Sequence, residues 1–519
     1  MKAKRFRNSI LSCVIATMLI LGFSAGTFAA KVVEVPPAEM YPEKQMAFDW
    51  LDQPQIIELY GKMSDVLWSY AELGMQEFKS YKLLTGYLEQ NGFKVEHGMA
   101  GMPTCFVASY GSGKPVIGLI FQADALPMIS QGGRVPYRDP IVKGAPGHGC
   151  GHNAQGPLCI ASAMALKRAI DRYGLKGTVK IFGSPAEETL ISRPYMVRAG
   201  LFDGVDVVLK NHTGSSFGGG QLGGVSGNAM FSTLFSFEGV TAHSAGGPWN
   251  AKSALDGVEL MNDGVNLLRE HLFYSYRIHY VIPSGGQAPN VVPDYASVWY
   301  FVRNSDDLVE SDHEKVINCA KGAALATGTE LTVRVYTAIH QTRHNAAFNQ
   351  LAHQNAMLAG MPEWSDEEEA FAKELQKNAG ISVVGLPSKL SKLKEWDPEA
   401  KFVGGGSGDT ADVSMVTPLA SLRVPVNAST GHHWSNVASS YGSIVWKGIN
   451  ACAKATVGTA LDLMTKPELL QEVRDQFAEQ VKRDPYRSYL PVDAVPPLEL
   501  NEELMARYRT KMEPSYLEW

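Results

Sequence analysis

The sequence predicts an α/β protein in which a larger domain on a mainly parallel sheet is interrupted by an inserted ferredoxin-like (βαββαβ) unit. Three observations predict this. Apolar strand-like runs and helix-periodic runs alternate on both sides of residues 229–341, the pattern of a parallel sheet with crossover helices. Inside 229–341 the order changes to strand, helix, strand, strand, helix, strand. The chain is also long enough, at 519 residues with 45% hydrophobic and 19% charged side chains, to bury more than one core.

The first element is a targeting signal. MKAKRFRN is basic, ILSCVIATMLILGF is apolar and SAGTFAA ends in small residues, so residues 1–29 read as a secretory signal peptide. An uncleaved anchor is the competing reading, but the run is short for a membrane span and the tail suits cleavage. The expected location is therefore secreted or periplasmic, with no membrane association beyond the signal. Cleavage removes Lys2, Lys4, Arg5 and Arg7 and no acids, taking the formal charge from −6 to −10. So acidic a chain, without a basic cluster, excludes nucleic acid as a partner. The five remaining cysteines (Cys105, Cys150, Cys159, Cys319 and Cys452) are odd in number and widely spaced, which is no disulfide framework.

After an irregular lead-in, KVVEVPPAEMYPEK, the larger domain occupies residues 45–228 and resumes at 342–482. Helical spacing runs through FDWLDQPQIIELYGKMSDVLWSYAEL. TCFVASYG, PVIGLIFQ, TVKIFGS and VDVVLKN read as strands, PLCIASAMALKRAIDRYG as a helix, and RPYMVRAG as another. In the insert, AMFSTLFSFEGV, YRIHYVIPS, ASVWYFVRN and ELTVRVYTAIH are strands, with helices in SALDGVELMNDGVNLLREHL and DLVESDHEKVINCAKGAALATG. SDEEEAFAKELQ then starts a helix with Ser365 as N-cap and acids in its first turn. SLRVPVNAS is a strand and IVWKGINACAKATVGTALDLM a buried helix, followed by a C-terminal extension, 483–519, that drapes over the surface.

Ligands of open α/β sheets bind outside the carboxyl ends of the strands. The residues just past each predicted strand are chemically loaded: Asp124 after VIGLIFQ, Glu187-Glu188 after VKIFGS, His212 after VVLKN, and His432-His433 after LRVPVNAS. The run GHGCGHN places Cys150 and His152 at the entrance of a helix. Two residues apart in extended chain, they share one face and suit a common metal. Alone, that run is equally a glycine turn with incidental histidines. Paired carboxylates serve metal chemistry as ligand and as base, although a lone Glu-Glu is usually a solvated helix start. Their convergence on one sheet edge favours a metal site. His148 and His97 read as structural or surface residues.

GHGCGHN, FQADALP, PAEE, NHT, TAHSAGGPWN and HHW together resemble the dinuclear metallohydrolases that include aminoacylases and zinc carboxypeptidases, and within them the p-aminobenzoyl-glutamate hydrolase subgroup. The resemblance spans residues 45–480. It implies a metal-dependent amidohydrolase with two divalent ions, zinc or manganese, acting on a small-molecule amide such as an N-acyl or N-aroyl amino acid. It implies Cys150, His152, Glu188, His212 and His432 as metal ligands, with Cys150 binding or bridging through its thiolate. Glu187 would be general base and then general acid. His243, in the lid formed by the insert, would polarise the scissile carbonyl, in this family often across a dimer. Asn290, Arg303 and Gly406 would hold the substrate. A homodimer through the lid is expected, and a second, different partner chain is a further expectation. This sequence departs from the wider pattern at Gln122-Ala-Asp124, where many members have His-x-Asp; Asp124 would then orient a neighbouring ligand. His432 is preferred to His433. Trp249 and Trp434, near these motifs, make an aromatic acyl group plausible.

Three rivals stay open. A dipeptidase or carboxypeptidase would use the same chemistry. A cysteine hydrolase with Cys150 and His152 is disfavoured because such pairs come from separate segments. A non-catalytic periplasmic binding protein is disfavoured by the intact Glu187-Glu188.

Overall fold

The computed structural model describes residues 35–397 and 405–519; the predicted signal segment lies outside them. The large sheet contains β1 (Lys94–His97), β2 (Phe106–Ser112), β3 (Val116–Phe121), β4 (Gly177–Gly183), β5 (Val207–Gly214), the Leu419–Pro425 strand, and two-residue strands at Phe217–Gly218 and Leu390–Ser391. Its order is β1-β2-β4-β3-β5, then Leu419–Pro425, Phe217–Gly218 and Leu390–Ser391. β4, β3, β5 and Leu419–Pro425 are mutually parallel, whereas β1 and β2 run antiparallel to their neighbours. The sheet is thus mixed rather than simply parallel. The turn at residues 113–115 is too short for a crossover, so β2 must run back against β3. β4 then inserts between them.

Helices Gln155–Tyr173 and Ser443–Thr465 share the main core with this sheet, contributing Leu158, Leu166, Val457 and Leu461 beside Phe121 and Leu209. Small residues let the helices approach closely: a Cβ on Gly61 would sit 2.2 Å from the Trp446 ring. Ser365 is the N-cap of Asp366–Asn378, as predicted, and it also forms a capping box with Glu368. Sequence pattern does not separate helices Ala346–Ala359, Thr410–Val416, Trp434–Ser439 and Pro467–Arg483. In the C-terminal extension, Glu502–Met512 is helical, Arg509 pairs with buried Glu72 at 2.8 Å, and Tyr516 packs edge-on to Tyr70. No helix of the described residues is long and apolar enough to cross a membrane.

The insert forms its own antiparallel sheet in the order Arg277–Ser284, Tyr295–Asn304, Ala229–Glu238, Glu330–Ile339. Helices Ala254–Leu268 and Val309–Thr327 pack on it around Phe235, Phe237, Tyr300, Val258 and Val316. On Val309–Thr327, His313 is buried, stacks on Phe231 at 4.2 Å and shares a 2.8 Å hydrogen bond with Thr233 Oγ1. Burial pulls its pKa down to about 4. A folded pKa below the unfolded one means that protonation favours the unfolded chain. The stabilisation is therefore whole above pH 6.5 and is lost as pH falls toward 4, at about 1.4 kcal/mol per unit of separation. Denaturant melts of the parent and His313→Gln from about pH 7.5 to 4.5 should show a shallower acid loss in the variant, and equal slopes would contradict this reading.

Candidate metal centre

The loops at the carboxyl end of the large sheet bring the candidate residues together. Asp124 follows β3, Glu187 and Glu188 follow β4, His212 lies near the end of β5, and His432 follows Leu419–Pro425. Cys150 and His152 sit where Gly151, with φ of 73°, turns the chain into the Gln155–Tyr173 helix. A Cβ at Gly151 would lie 3.0 Å from Thr213 Oγ1, so glycine is needed for space as well as conformation. Three non-glycine residues around the site also have positive φ: Ala186, Leu190 and His432. Such strained backbone persists where the surroundings hold it, typically at functional sites.

Two groups of potential ligand atoms result, each lying within 4.8 Å: Cys150, His152 and His212, and Cys150, Glu188 and His432. They share Cys150. Its Sγ is 3.7 Å from His212 Nε2, and His432 Nε2 is 3.3 Å from Glu188 Oε2. His433 instead caps the Trp434–Ser439 helix and bonds Ser435 Oγ at 2.7 Å. Asp124 Oδ1 lies 3.0 Å from His152 Nδ1, and its Oδ2 accepts the Glu188 N–H at 2.7 Å. His148 is apart from the cluster, donating from Nε2 to the Leu67 carbonyl at 3.1 Å.

The adjacent carboxyls are driven in opposite directions. Burial would raise Glu187, but Lys210, His152 and Arg193 outweigh it and bring its pKa down to about 2. Lys210 Nζ is 3.7 Å and Arg193 Nη1 3.9 Å from Glu187 Oε1. Burial raises Glu188 to about 8, helped by Asp124 and Glu187 and opposed by His152. Burial, then Lys210, depress His212 to about 3, leaving it neutral, the form that ligates metals.

Sequence reasoning misses several of these partners. Fully buried Arg193 pairs with Asp409 and donates from Nη2 to Gln122 Oε1 at 2.5 Å. Lys210 donates to Thr410 Oγ1 at 2.5 Å. Glu77, also buried, accepts the Ala186 N–H at 2.7 Å and thereby holds the turn before Glu187. The signal for Lys210 is legible as a lysine inside the apolar run VVLKN; nothing local marks Arg193 or Glu77.

The substrate-side candidates lie elsewhere. His243 is exposed, bridges Val291 through its backbone and accepts the Ala245 and Gly246 N–H groups at Nδ1. The neighbouring Ser244 N–H donates to the Asn290 carbonyl. Among the described residues no hydrogen bond or ion pair joins His243 or Asn290 to the Cys150 cluster. Arg303 Nε donates to Ser407 Oγ at 3.1 Å, and the Gly406 carbonyl accepts the Asn228 N–H at 3.1 Å. That segment reaches the cluster through Asp409 and Arg193. Cys150 and His212 open onto a cavity of about 630 Å³, which neither Trp249 nor Trp434 lines.

A mixed α/β sheet whose strand ends carry thiol, imidazole and carboxylate donors defines the class of metal-site hydrolases. The chain belongs to the peptidase family M20/M25/M40, whose model matches residues 119–469. It is 34% identical over 468 residues to the B subunit of the p-aminobenzoyl-glutamate hydrolase of Escherichia coli (strain K12), covering 84% of this chain and 95% of that one. It is 26% identical over 454 residues to the Xaa-Arg dipeptidase of Mus musculus, covering 85% and 93%. In fold it is similar to an aminobenzoyl-glutamate utilization protein from Klebsiella pneumoniae, with TM-score 0.56 and 17% identity over 79% of this chain and 97% of that one.

Removing one member of a buried ion pair strands the other, at about 3–5 kcal/mol. Arg193→Met should therefore lower unfolding free energy by that order, and Arg193→Met/Asp409→Leu should lose less than the two single variants summed. Additive losses in denaturant melts would contradict the pairing.

Proposed function

We propose that this chain is a divalent-metal amidohydrolase that cleaves the amide bond of N-acyl or N-aroyl amino acids, the kind of bond in p-aminobenzoyl-glutamate, for whose hydrolase the E. coli relative is named. The observation that carries this is the pair of donor triplets sharing Cys150 beside a buried carboxylate pair. The residues fit a metal. Glu188 Oε1 is buried without a hydrogen bond, and the donors are sulfur, imidazole nitrogen and carboxylate oxygen, a set that suits zinc and accommodates manganese. Cys150, His152 and His212 would hold one ion, and Cys150, Glu188 and His432 a second. A solved structure of similar fold, from Bacillus subtilis, is described as a dinuclear metal binding peptidase from the M20 family (TM-score 0.50, 19% identity over 80% of this chain and 100% of that one).

When bound, the ions supply Lewis acidity to the amide carbonyl and lower the pKa of water. Glu187, held ionised by Lys210 and Arg193, takes a proton from the attacking water. It returns that proton to the leaving nitrogen as the C–N bond breaks. Asp124 fixes the His152 ring through Nδ1 and the Glu188 backbone through its N–H, so both donor groups keep their aim.

His243, with Asn290 beside it, would polarise the carbonyl from a second copy of the chain. Its exposure and its separation from the cluster support that reading. The insert's strand order supports a ferredoxin-like lid. Its edge strand Arg277–Ser284 exposes Val281 and Ile282, which supports a homodimer through that unit. The E. coli hydrolase is named for two different chains, an A and a B, and this supports a hetero-oligomer as the alternative assembly. A secreted or periplasmic location follows from the basic-apolar-small pattern of residues 1–29. A dipeptidase is the second reading, favoured by the likeness to the Xaa-Arg dipeptidase.

Hydrolysis of N-acyl and N-aroyl glutamates should vanish on full chelation and return with zinc or manganese; activity surviving complete removal would restore the cysteine-hydrolase reading. Glu187→Gln should lower kcat by about 10²–10⁴-fold, and an unchanged kcat would remove Glu187 as the base.

A further inference from the structure

The cavity that opens from Cys150 and His212 has an uneven charge. Among the described residues lining it there is no aspartate or glutamate, but three cations, Arg423, Lys392 and Lys394. None of the three makes a side-chain hydrogen bond, ion pair or ring contact among the described residues. An arginine on an inner strand of a sheet is unusual, and Arg423 is the one exposed position of Leu419–Pro425. Arg423 is the direct partner of His212 in the parallel ladder between β5 and Leu419–Pro425. Paired residues of neighbouring strands project to the same face, so the guanidinium and the candidate ligand line one surface. Leu422 and Val424, on either side, point into the core, while Ser421 and Arg423 face the cavity. The Arg423 side chain runs beside Gly214, whose Cβ position would be in ordinary contact with Arg423 Cδ at 3.8 Å and Nη1 at 3.9 Å. Lys392 and Lys394, both exposed, also line the cavity, and Thr213 and Ser429 add hydroxyls.

We propose that this cavity receives the acidic end of the substrate, an amino dicarboxylic acid, with one carboxylate forked by the Arg423 guanidinium and the other held by Lys392 and Lys394. The inference rests on the amidohydrolase reading for its choice of carboxylate over other anions. Three cations without a side-chain partner or an acid among the described lining residues leave a positive field in a cleft, which concentrates anionic ligands. A planar guanidinium matches a carboxylate through two parallel hydrogen bonds, which fixes orientation as well as charge. Among the described residues the lining is hydroxyl-rich and holds no tryptophan, tyrosine or phenylalanine, so the aromatic acyl group is placed outside it.

The test is calorimetric titration of glutarate, with glutaramide as its neutral isostere, into the metal-loaded full chain. Glutarate is expected to bind and glutaramide not to. Arg423→Gln should weaken glutarate at least tenfold, Lys392→Gln/Lys394→Gln should weaken it several-fold, and circular dichroism should verify that both variants are folded. Equal glutarate affinity in the parent and Arg423→Gln overturns the proposal, as does inorganic phosphate binding through Arg423 as tightly as glutarate. A chain that binds glutarate through Arg423 yet hydrolyses no N-acyl amino acid upholds the cavity and removes the amidohydrolase reading. One that hydrolyses N-acyl glutamates with a KM unmoved by Arg423→Gln removes the cavity and leaves that reading standing.

Discussion

The two oxygens of the Asp124 carboxylate tie the site together. One lies 3.0 Å from His152 Nδ1 and the other accepts the Glu188 N–H at 2.7 Å. The first contact fixes the ring that stands at the entrance of the Gln155–Tyr173 helix, and the second fixes the turn after β4. Those two segments are remote in sequence; the first carries Cys150 and His152 and the second Glu188. Without a shared acceptor they would be free to move independently, and a precise donor arrangement tolerates little such movement. Glu77 repeats the device on the same turn, holding the Ala186 N–H at 2.7 Å where the backbone has positive φ.

Concentrating carboxylates and imidazoles in a buried place is costly unless charge is balanced. Arg193 and Lys210 supply that balance from below. Arg193 joins Asp409, Gln122 and Glu187 from a fully buried position, and Lys210 approaches Glu187 from the middle of β5. The same support includes Gln122. Its amide accepts from Arg193 through oxygen, and its nitrogen lies 3.4 Å from His152 Nε2. Gln122 is thus part of the support beneath the donor cluster.

Much of this is legible in the sequence because strand ends in an α/β fold announce where a site must be. Cys150, His152, Glu187, Glu188 and His212 each follow or precede a recognisable strand or helix, so their convergence is predictable without knowing any distance. The preference for His432 over His433 has a physical basis in the fold: His433 is spent on capping the Trp434–Ser439 helix, while His432 adopts the positive φ that turns its ring toward Glu188. The illegible part depends on through-space pairing. Arg193 looks like any helix arginine until Asp409, more than two hundred residues later, is placed against it. The short turn at 113–115 is enough to make β2 antiparallel to β3, but nothing in it shows that β4 will insert between them. His243 and Asn290 are neighbours of each other, yet no hydrogen bond or ion pair among the described residues links them to the cluster within one chain.

Cys150 is common to both donor triplets, so in the proposed function one thiolate serves two metal positions. Elemental analysis of the purified full chain and of Cys150→Ala tests it most directly. The account predicts two divalent ions per chain in the parent and the loss of both together in the variant. Retention of two ions by Cys150→Ala would contradict it.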